Sequence, residues 1–77
     1  MINYDDGVYL GEVVKGKDRE IREGRGVFIW KSGSRYDGEW KQDMRNGFGR
    51  NIFSSGNMFE GLTKYNKKEG HGIYTYK

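Results

Sequence analysis

The sequence predicts an all-β fold, a single-layer antiparallel meander of stacked β-hairpins with about six or seven strands. Three observations lead to this prediction. Glycine pairs recur at a fixed interval, short polar turns separate segments in which apolar and charged residues alternate, and no segment carries the apolar period of an α-helix. Because the turns are short, consecutive strands must pair antiparallel.

The repeat unit is defined by two signatures. The first is a glycine pair that recurs every 23 residues, as Gly24-Arg25-Gly26, Gly47-Phe48-Gly49 and Gly70-His71-Gly72. The second is an aromatic-x-Gly segment that precedes each pair, at Tyr9 to Val13, Tyr36 to Trp40 and Phe59 to Thr63. The first copy is four residues longer than the others, and mostly charged residues and glycine fill residues 15–23. This composition predicts a lengthened solvent loop.

Within one repeat, each element follows from its pattern. Residues 36–41 alternate aromatic or glycine with charge, which predicts a half-exposed strand. A polar turn is expected over residues 42–46, a second strand over residues 47–53, and a turn at Ser54-Ser55-Gly56-Asn57. Each repeat is therefore a hairpin, and residues 2–4 can add a seventh strand.

Simple alternation places large aromatic rings and glycines on the same face of the sheet. A ring packed over a strand glycine recovers part of the stability that the glycine costs. A single sheet has no second layer over this face, so some apolar surface should stay accessible and serve as an interaction site. The expected partner-binding residues are Phe28, Trp30, Tyr36, Trp40, Phe53, Phe59 and Tyr74.

Candidate chemistry is sparse. The chain contains one histidine, His71, and no cysteine, so no second ligand of these types is present to complete a metal site. The neighbouring carboxylates Asp5 and Asp6 lack the rest of a calcium loop, and the glycine pairs lack the third glycine and helix of a nucleotide site. We therefore expect no catalytic residue, no metal and no cofactor.

Composition limits the chain to one small domain of mild charge. It has 77 residues, 34% of them hydrophobic, and a formal net charge of +3. Acidic residues interrupt every basic run, so a nucleic-acid partner is not expected. Binding to acidic phospholipids is an alternative function. It would use two small basic groups, Lys15, Lys17, Arg19 and Arg22 in the first and Lys64, Lys67 and Lys68 in the second.

These signatures resemble the MORN repeat family, whose unit reads approximately Tyr-x-Gly-Glu-Trp, a short turn, Gly-x-Gly, a strand and a turn with glycine. Tyr36 to Asn57 matches best, while Val13 and Thr63 replace the tryptophan in the other copies. We expect repeats over residues 9–35, 36–58 and 59–77, with residues 2–8 resembling the tail of a preceding repeat. The piece would then belong to a longer array with open edge strands that could self-associate.

The resemblance implies a non-enzymatic interaction or scaffold module. The N-terminal residues lack the basic start and apolar run of a signal peptide, so we expect it to be cytoplasmic. We expect its partner to be a protein segment, extended or helical, laid across the aromatic face. Two alternatives follow from the same family. One is a peripheral module at a membrane, where some MORN proteins are linked to phosphoinositides, or at the cytoskeleton. The other is an accessory region of a larger enzyme, because related repeats occur joined to lipid-kinase and lysine-methyltransferase domains.

Overall fold

The computed structural model describes all 77 residues and contains one seven-stranded antiparallel sheet with the strands in chain order. The predicted hairpin meander is therefore confirmed. The strands are β1 (Ile2–Tyr4), β2 (Gly7–Lys15), β3 (Glu20–Trp30), β4 (Arg35–Lys41), β5 (Met44–Ile52), β6 (Met58–Lys64) and β7 (Lys67–Thr75). The molecule measures 40 × 26 × 15 Å, and the short dimension corresponds to one layer of sheet. Pairing of the free β1 and β7 edges with another chain stays a prediction.

A row of glycines crosses the sheet at right angles to the strands. From β2 to β7 the register pairs each glycine with the next, in the order Gly11, Gly26, Gly38, Gly49, Gly61 and Gly72. A parallel row of side chains, aromatic except for Asn51, lies beside it, in the order Tyr9, Phe28, Tyr36, Asn51, Phe59 and Tyr74. The repeat spacing in the sequence thus corresponds to the strand register, which places equivalent residues of successive strands opposite each other.

The predicted packing of rings over glycines is confirmed. A Cβ atom on Gly26 would collide with the Tyr9 ring, and a Cβ atom on Gly49 would collide with the Tyr36 ring. Both tyrosines are fully buried although the sheet has no second layer. The glycine row therefore gives the rings a surface close enough to exclude water, which supplies the core that aliphatic residues do not.

The glutamate of the repeat signature supports the strand that follows the hairpin turn. Gly47 adopts φ 110°, which favours glycine, and the next backbone N–H, that of Phe48, donates to Glu39 Oε1 at 2.6 Å. Glu12 accepts from the N–H of Arg25 in the same way. The signature residue thus satisfies a backbone donor where the register shifts.

Two expectations about turns were wrong. The insertion in the first repeat is not a solvent loop over residues 15–23, because Val13, Val14 and Lys15 pair with Arg22, Ile21 and Glu20 and only residues 16–19 turn. The second-repeat turn covers residues 42–43 rather than 42–46. In both places the strands run further because cross-strand contacts of charged side chains with rings extend the pairing.

The two faces of the sheet differ in how they hold apolar groups. The core cluster is Tyr9, Phe28, Tyr36 and Trp40, all on one side, which we call the aromatic face. The opposite side, the outer face, carries exposed aliphatic residues among charges, including Leu10, Leu62 and Ile73, and also Phe48. The largest pair there is Phe48 opposite Leu62, each 53% exposed.

Candidate interaction surface

Three cations lie on the aromatic face at the repeat interval of 23 residues: Arg22, Arg45 and Lys68. Each stands over aromatic rings. The Arg22 guanidinium is 4.6 Å from both the Tyr4 and the Trp40 ring centroids. A cation over a ring face is attracted to it, so these side chains pack against the rings. The face that the sequence predicted to be open is therefore partly covered by cations.

Arg22 is held in place by the next hairpin. Its Nε donates to Asp43 Oδ1 at 2.7 Å and its Nη2 to the Asp43 backbone oxygen at 2.8 Å. Arg19 adds a second ion pair to the same carboxylate at 2.8 Å. Burial opposes the negative charge of Asp43, but the hydrogen bonds and the charge of Arg22, together with Arg19, lower the pKa of this carboxyl below its ordinary value.

The pair Arg22–Asp43 should make stability depend on acid. Since the pKa of Asp43 is lowered in the folded state, its contribution is present above the ordinary carboxyl pKa and is lost as pH falls through the folded value. We expect Asp43→Asn to lower the free energy of unfolding by about 1 to 2 kcal/mol at pH 7, and the difference should shrink as the pH is lowered toward about 2.

Urea unfolding at both pH values measures this difference. Asp18→Asn is the matched control, because Asp18 is exposed and belongs to no ion pair, so the change should have little effect at either pH. An Asp43→Asn loss of equal size at both pH values would contradict the assignment.

Arg45 repeats the geometry of Arg22 with one chemical difference. Its Nε donates to Asn66 Oδ1 at 3.3 Å and its Nη2 to the Asn66 backbone oxygen at 3.2 Å. The acceptor side chain is a neutral amide here, where Arg22 has the carboxylate of Asp43. No carboxylate lies within ion-pair distance of Arg45. Burial lowers the pKa of Arg45, the nearby Tyr36 hydroxyl acts in the opposite direction, and the charge of Arg22 lowers the pKa further.

A gap in the aromatic row opens beside Arg45. Asn51 occupies the position that Phe28 and Tyr74 hold in the neighbouring repeats, and its Oδ1 accepts from Arg45 Nη1 at 3.4 Å. The smaller side chain leaves a cleft of about 280 Å³ between Trp30 and Phe53. Ser32, Ser34, Arg35, Arg45, Asn51 and Ile52 complete its lining. The cleft therefore combines apolar walls with cations and hydroxyls.

The seven predicted partner-binding rings divide into two groups. Phe28, Tyr36, Trp40 and Phe59 are buried in the free domain, so they pack the sheet and offer little surface. Trp30 and Phe53 are half-buried at the cleft, and Tyr74 is 45% exposed on β7. A binding role for the set stays a prediction, and the accessible ring surface is that of the second group.

The predicted lipid-binding residues also divide. Five of them are exposed near the β2–β3 and β6–β7 hairpin tips, which lie at the same end of the strands: Lys15, Lys17, Arg19, Lys64 and Lys67. Arg22 is largely engaged by Asp43, with only 16% of its side chain exposed. Lys68 bonds the Tyr74 hydroxyl and lies 4.9 Å from the Phe59 ring centroid. Four of the seven, Lys15, Lys17, Lys64 and Lys67, thus have no ion pair, whereas Arg19 is exposed but paired with Asp43.

Sequence reasoning missed Arg45 and Asn51. Aligning the repeats would have found both, since residues 22, 45 and 68 are all cations and residue 51 interrupts an aromatic column. That Arg45 faces a neutral partner follows only from the position of Asn66 in space.

No group of three or more histidine, cysteine or acidic residues is arranged to hold a metal ion. The chain also has no helix that could cross a membrane.

The sheet and its repeating ring-and-glycine rows define the class of protein: an open β-repeat module with a cleft on one face. The model of the MORN repeat family matches residues 21–35, 36–58 and 59–77. The chain belongs to the MORN repeat family. This repeat is a non-catalytic module, and such modules generally serve in interactions or membrane association. No curated protein matches the chain.

Proposed function

We propose that the domain is a non-enzymatic, cytoplasmic interaction module that binds a protein segment along its aromatic face. The observation that carries the proposal is the cleft between Trp30 and Phe53, where half-buried rings meet unpaired cations. Interface anchors are commonly aromatic residues in a partly formed pocket, which a partner side chain fills without reorganising the sheet.

The outer face is the competing surface. Its aliphatic residues lie among charged side chains, and several pair directly across β2 and β3, Val8 with Ile29, Leu10 with Val27 and Val14 with Ile21. Phe48 pairs with Leu62, and the cleft that Phe48 lines on that face is otherwise lined by the charged residues Arg25, Asp37 and Arg50. The cleft of the aromatic face brings accessible rings and polar groups together, so we place the binding site there.

The test uses peptides selected from a random phage-displayed library on the folded domain. We expect Phe53→Ser to weaken the selected peptides by about thirtyfold, since an anchor contributes about 2 kcal/mol or more. Phe48→Ser, a matched loss of a phenylalanine on the outer face, should change affinity less than about threefold. Fluorescence polarisation measures the affinities, and circular dichroism checks that both variants fold.

Selected peptides that respond to Phe48→Ser but not to Phe53→Ser would move the binding site to the outer face. A library that yields no peptide responsive to Phe53→Ser would overturn the proposal.

A second candidate, binding to acidic phospholipids, rests on the shared edge of the exposed basic residues. The β2–β3 tip carries Lys15, Lys17 and Arg19, and the β6–β7 tip carries Lys64 and Lys67. Because strands are about 4.8 Å apart, these tips stand about 19 Å apart on one edge and could meet one flat membrane. Sedimentation with vesicles containing phosphatidylinositol bisphosphate tests this function, and reversing Lys17 and Lys67 to glutamate should abolish it.

A further inference from the structure

The strongest unassigned feature is the Arg45 guanidinium in the cleft beside Trp30. It is a half-buried cation whose side-chain nitrogens meet only amide and carbonyl oxygens, those of Asn51 and Asn66. Arg22, at the equivalent place one repeat earlier, has the Asp43 carboxylate. A cation that is removed from water without a counter-charge costs free energy that an external anion can recover.

The rest of the cleft points to the kind of anion. Trp30, Ile52 and Phe53 form apolar walls, while Ser32 and Ser34 line the same space with hydroxyl groups. Arg35 is exposed at the cleft and also has no carboxylate within ion-pair distance. Because Arg35 is exposed to water, Arg45 is the one partly desolvated cation of the cleft, and it matches a single negative charge better than a doubly charged phosphate, which is harder to remove from water.

We propose that the Arg45 cleft binds an acidic side chain of the protein partner, with the neighbouring apolar residue of that partner seated between Trp30 and Phe53. The occupant is thus an extended acidic peptide in which an aromatic or aliphatic residue adjoins a glutamate or aspartate. This inference rests on the proposed function, because it names the chemistry that the aromatic face selects.

The probes are three capped dipeptides that differ only in charge: Phe-Glu, Phe-Gln and Phe-phosphoserine. Nuclear magnetic resonance follows the Trp30 indole N–H and the Arg45 Nε–H during titration. We expect Phe-Glu to bind about tenfold more tightly than Phe-Gln, since one charge-assisted hydrogen-bonded pair separates them. We expect Phe-phosphoserine to bind no more tightly than Phe-Glu.

A substitution outside the cleft lining supplies the sharpest variant. Asn66→Asp places a carboxylate where Asp43 stands relative to Arg22, so Arg45 would be neutralised from within the chain. The preference for Phe-Glu over Phe-Gln should then fall below about twofold. Asn46→Asp is the matched control, because the Asn46 side chain accepts from the Tyr65 N–H and makes no bond to Arg45. It should keep the preference.

Equal binding of Phe-Glu and Phe-Gln would overturn the inference while leaving the proposed function intact, provided library peptides still respond to Phe53→Ser. A Phe-phosphoserine affinity ten or more times that of Phe-Glu would replace the carboxylate by a phosphate. Retention of the preference in folded Asn66→Asp would show that Arg45 is not the recognising group, and this result also overturns the inference.

Discussion

Gly49→Ala is expected to lower the free energy of unfolding by about 2 to 3 kcal/mol, as overpacking a tight contact does. The added Cβ would fall within the ring of Tyr36, which is fully buried and held by its hydroxyl bond to the Glu39 backbone oxygen at 3.0 Å. The ring cannot swing away without losing that bond. Urea unfolding of the variant measures the loss.

The neighbouring exposed residue supplies the control for this prediction. Arg50→Ala should cost less than about 1 kcal/mol, because Arg50 has only a surface ion pair with Glu60. A double variant, Gly49→Ala with Tyr36→Leu, should lose less stability than the sum of the single changes, since the smaller side chain makes room for the methyl group. Strict additivity would contradict the ring-over-glycine account.

Trp40→Ala is expected to cause the largest loss, about 3 to 5 kcal/mol, which is much of the total stability of so small a domain. The indole packs edge-on against Tyr9 and Tyr36, with a distance of 5.3 Å between ring centroids in both pairs. Its Nε1 donates to the Gly26 backbone oxygen at 3.1 Å. It also lies under the Arg22 guanidinium. One side chain therefore contacts groups on three strands, β2, β3 and β4.

Two variants separate packing from other causes. Trp40→Phe keeps a ring and should lose about 1 to 2 kcal/mol, chiefly through the Nε1 hydrogen bond. Trp30→Ala removes the same type of side chain from a half-buried position in the cleft, so it should lower the free energy of unfolding clearly less than Trp40→Ala does. Thermal unfolding by circular dichroism compares them. Equal losses for the two alanine variants would contradict the assignment of Trp40 to the core.

The 23-residue spacing was sufficient to predict the order and pairing of the strands, because the strand register places the repeated glycines opposite one another. Gly26 opposite Gly38, and Gly38 opposite Gly49, follow directly from the repeat signatures. The strand ends could not be predicted in this way. Charged residues such as Arg22 looked like loop residues in sequence but pair in β3, since contacts with rings outweigh the preference for solvent.

The candidate site was only partly predictable. Alternation places Trp30 and Phe53 on the aromatic face, but it cannot show that Tyr36 is covered while Trp30 stays accessible. The role of Arg45 depends on the turn of the next hairpin, which brings Asn66 rather than a carboxylate to it. Such contacts between repeats arise from the stacking of hairpins and leave no local signal.

The central claim, that the aromatic face is the partner-binding surface, is tested most directly by site-specific photo-cross-linking in cells. A photo-reactive benzoylphenylalanine would replace Trp30 in one variant and Phe48, 53% exposed on the outer face, in a matched second variant. We predict discrete protein adducts from position 30 that Arg45→Gln diminishes, with few from position 48. Adducts formed only from position 48, or lipid adducts alone from position 30, would contradict the claim.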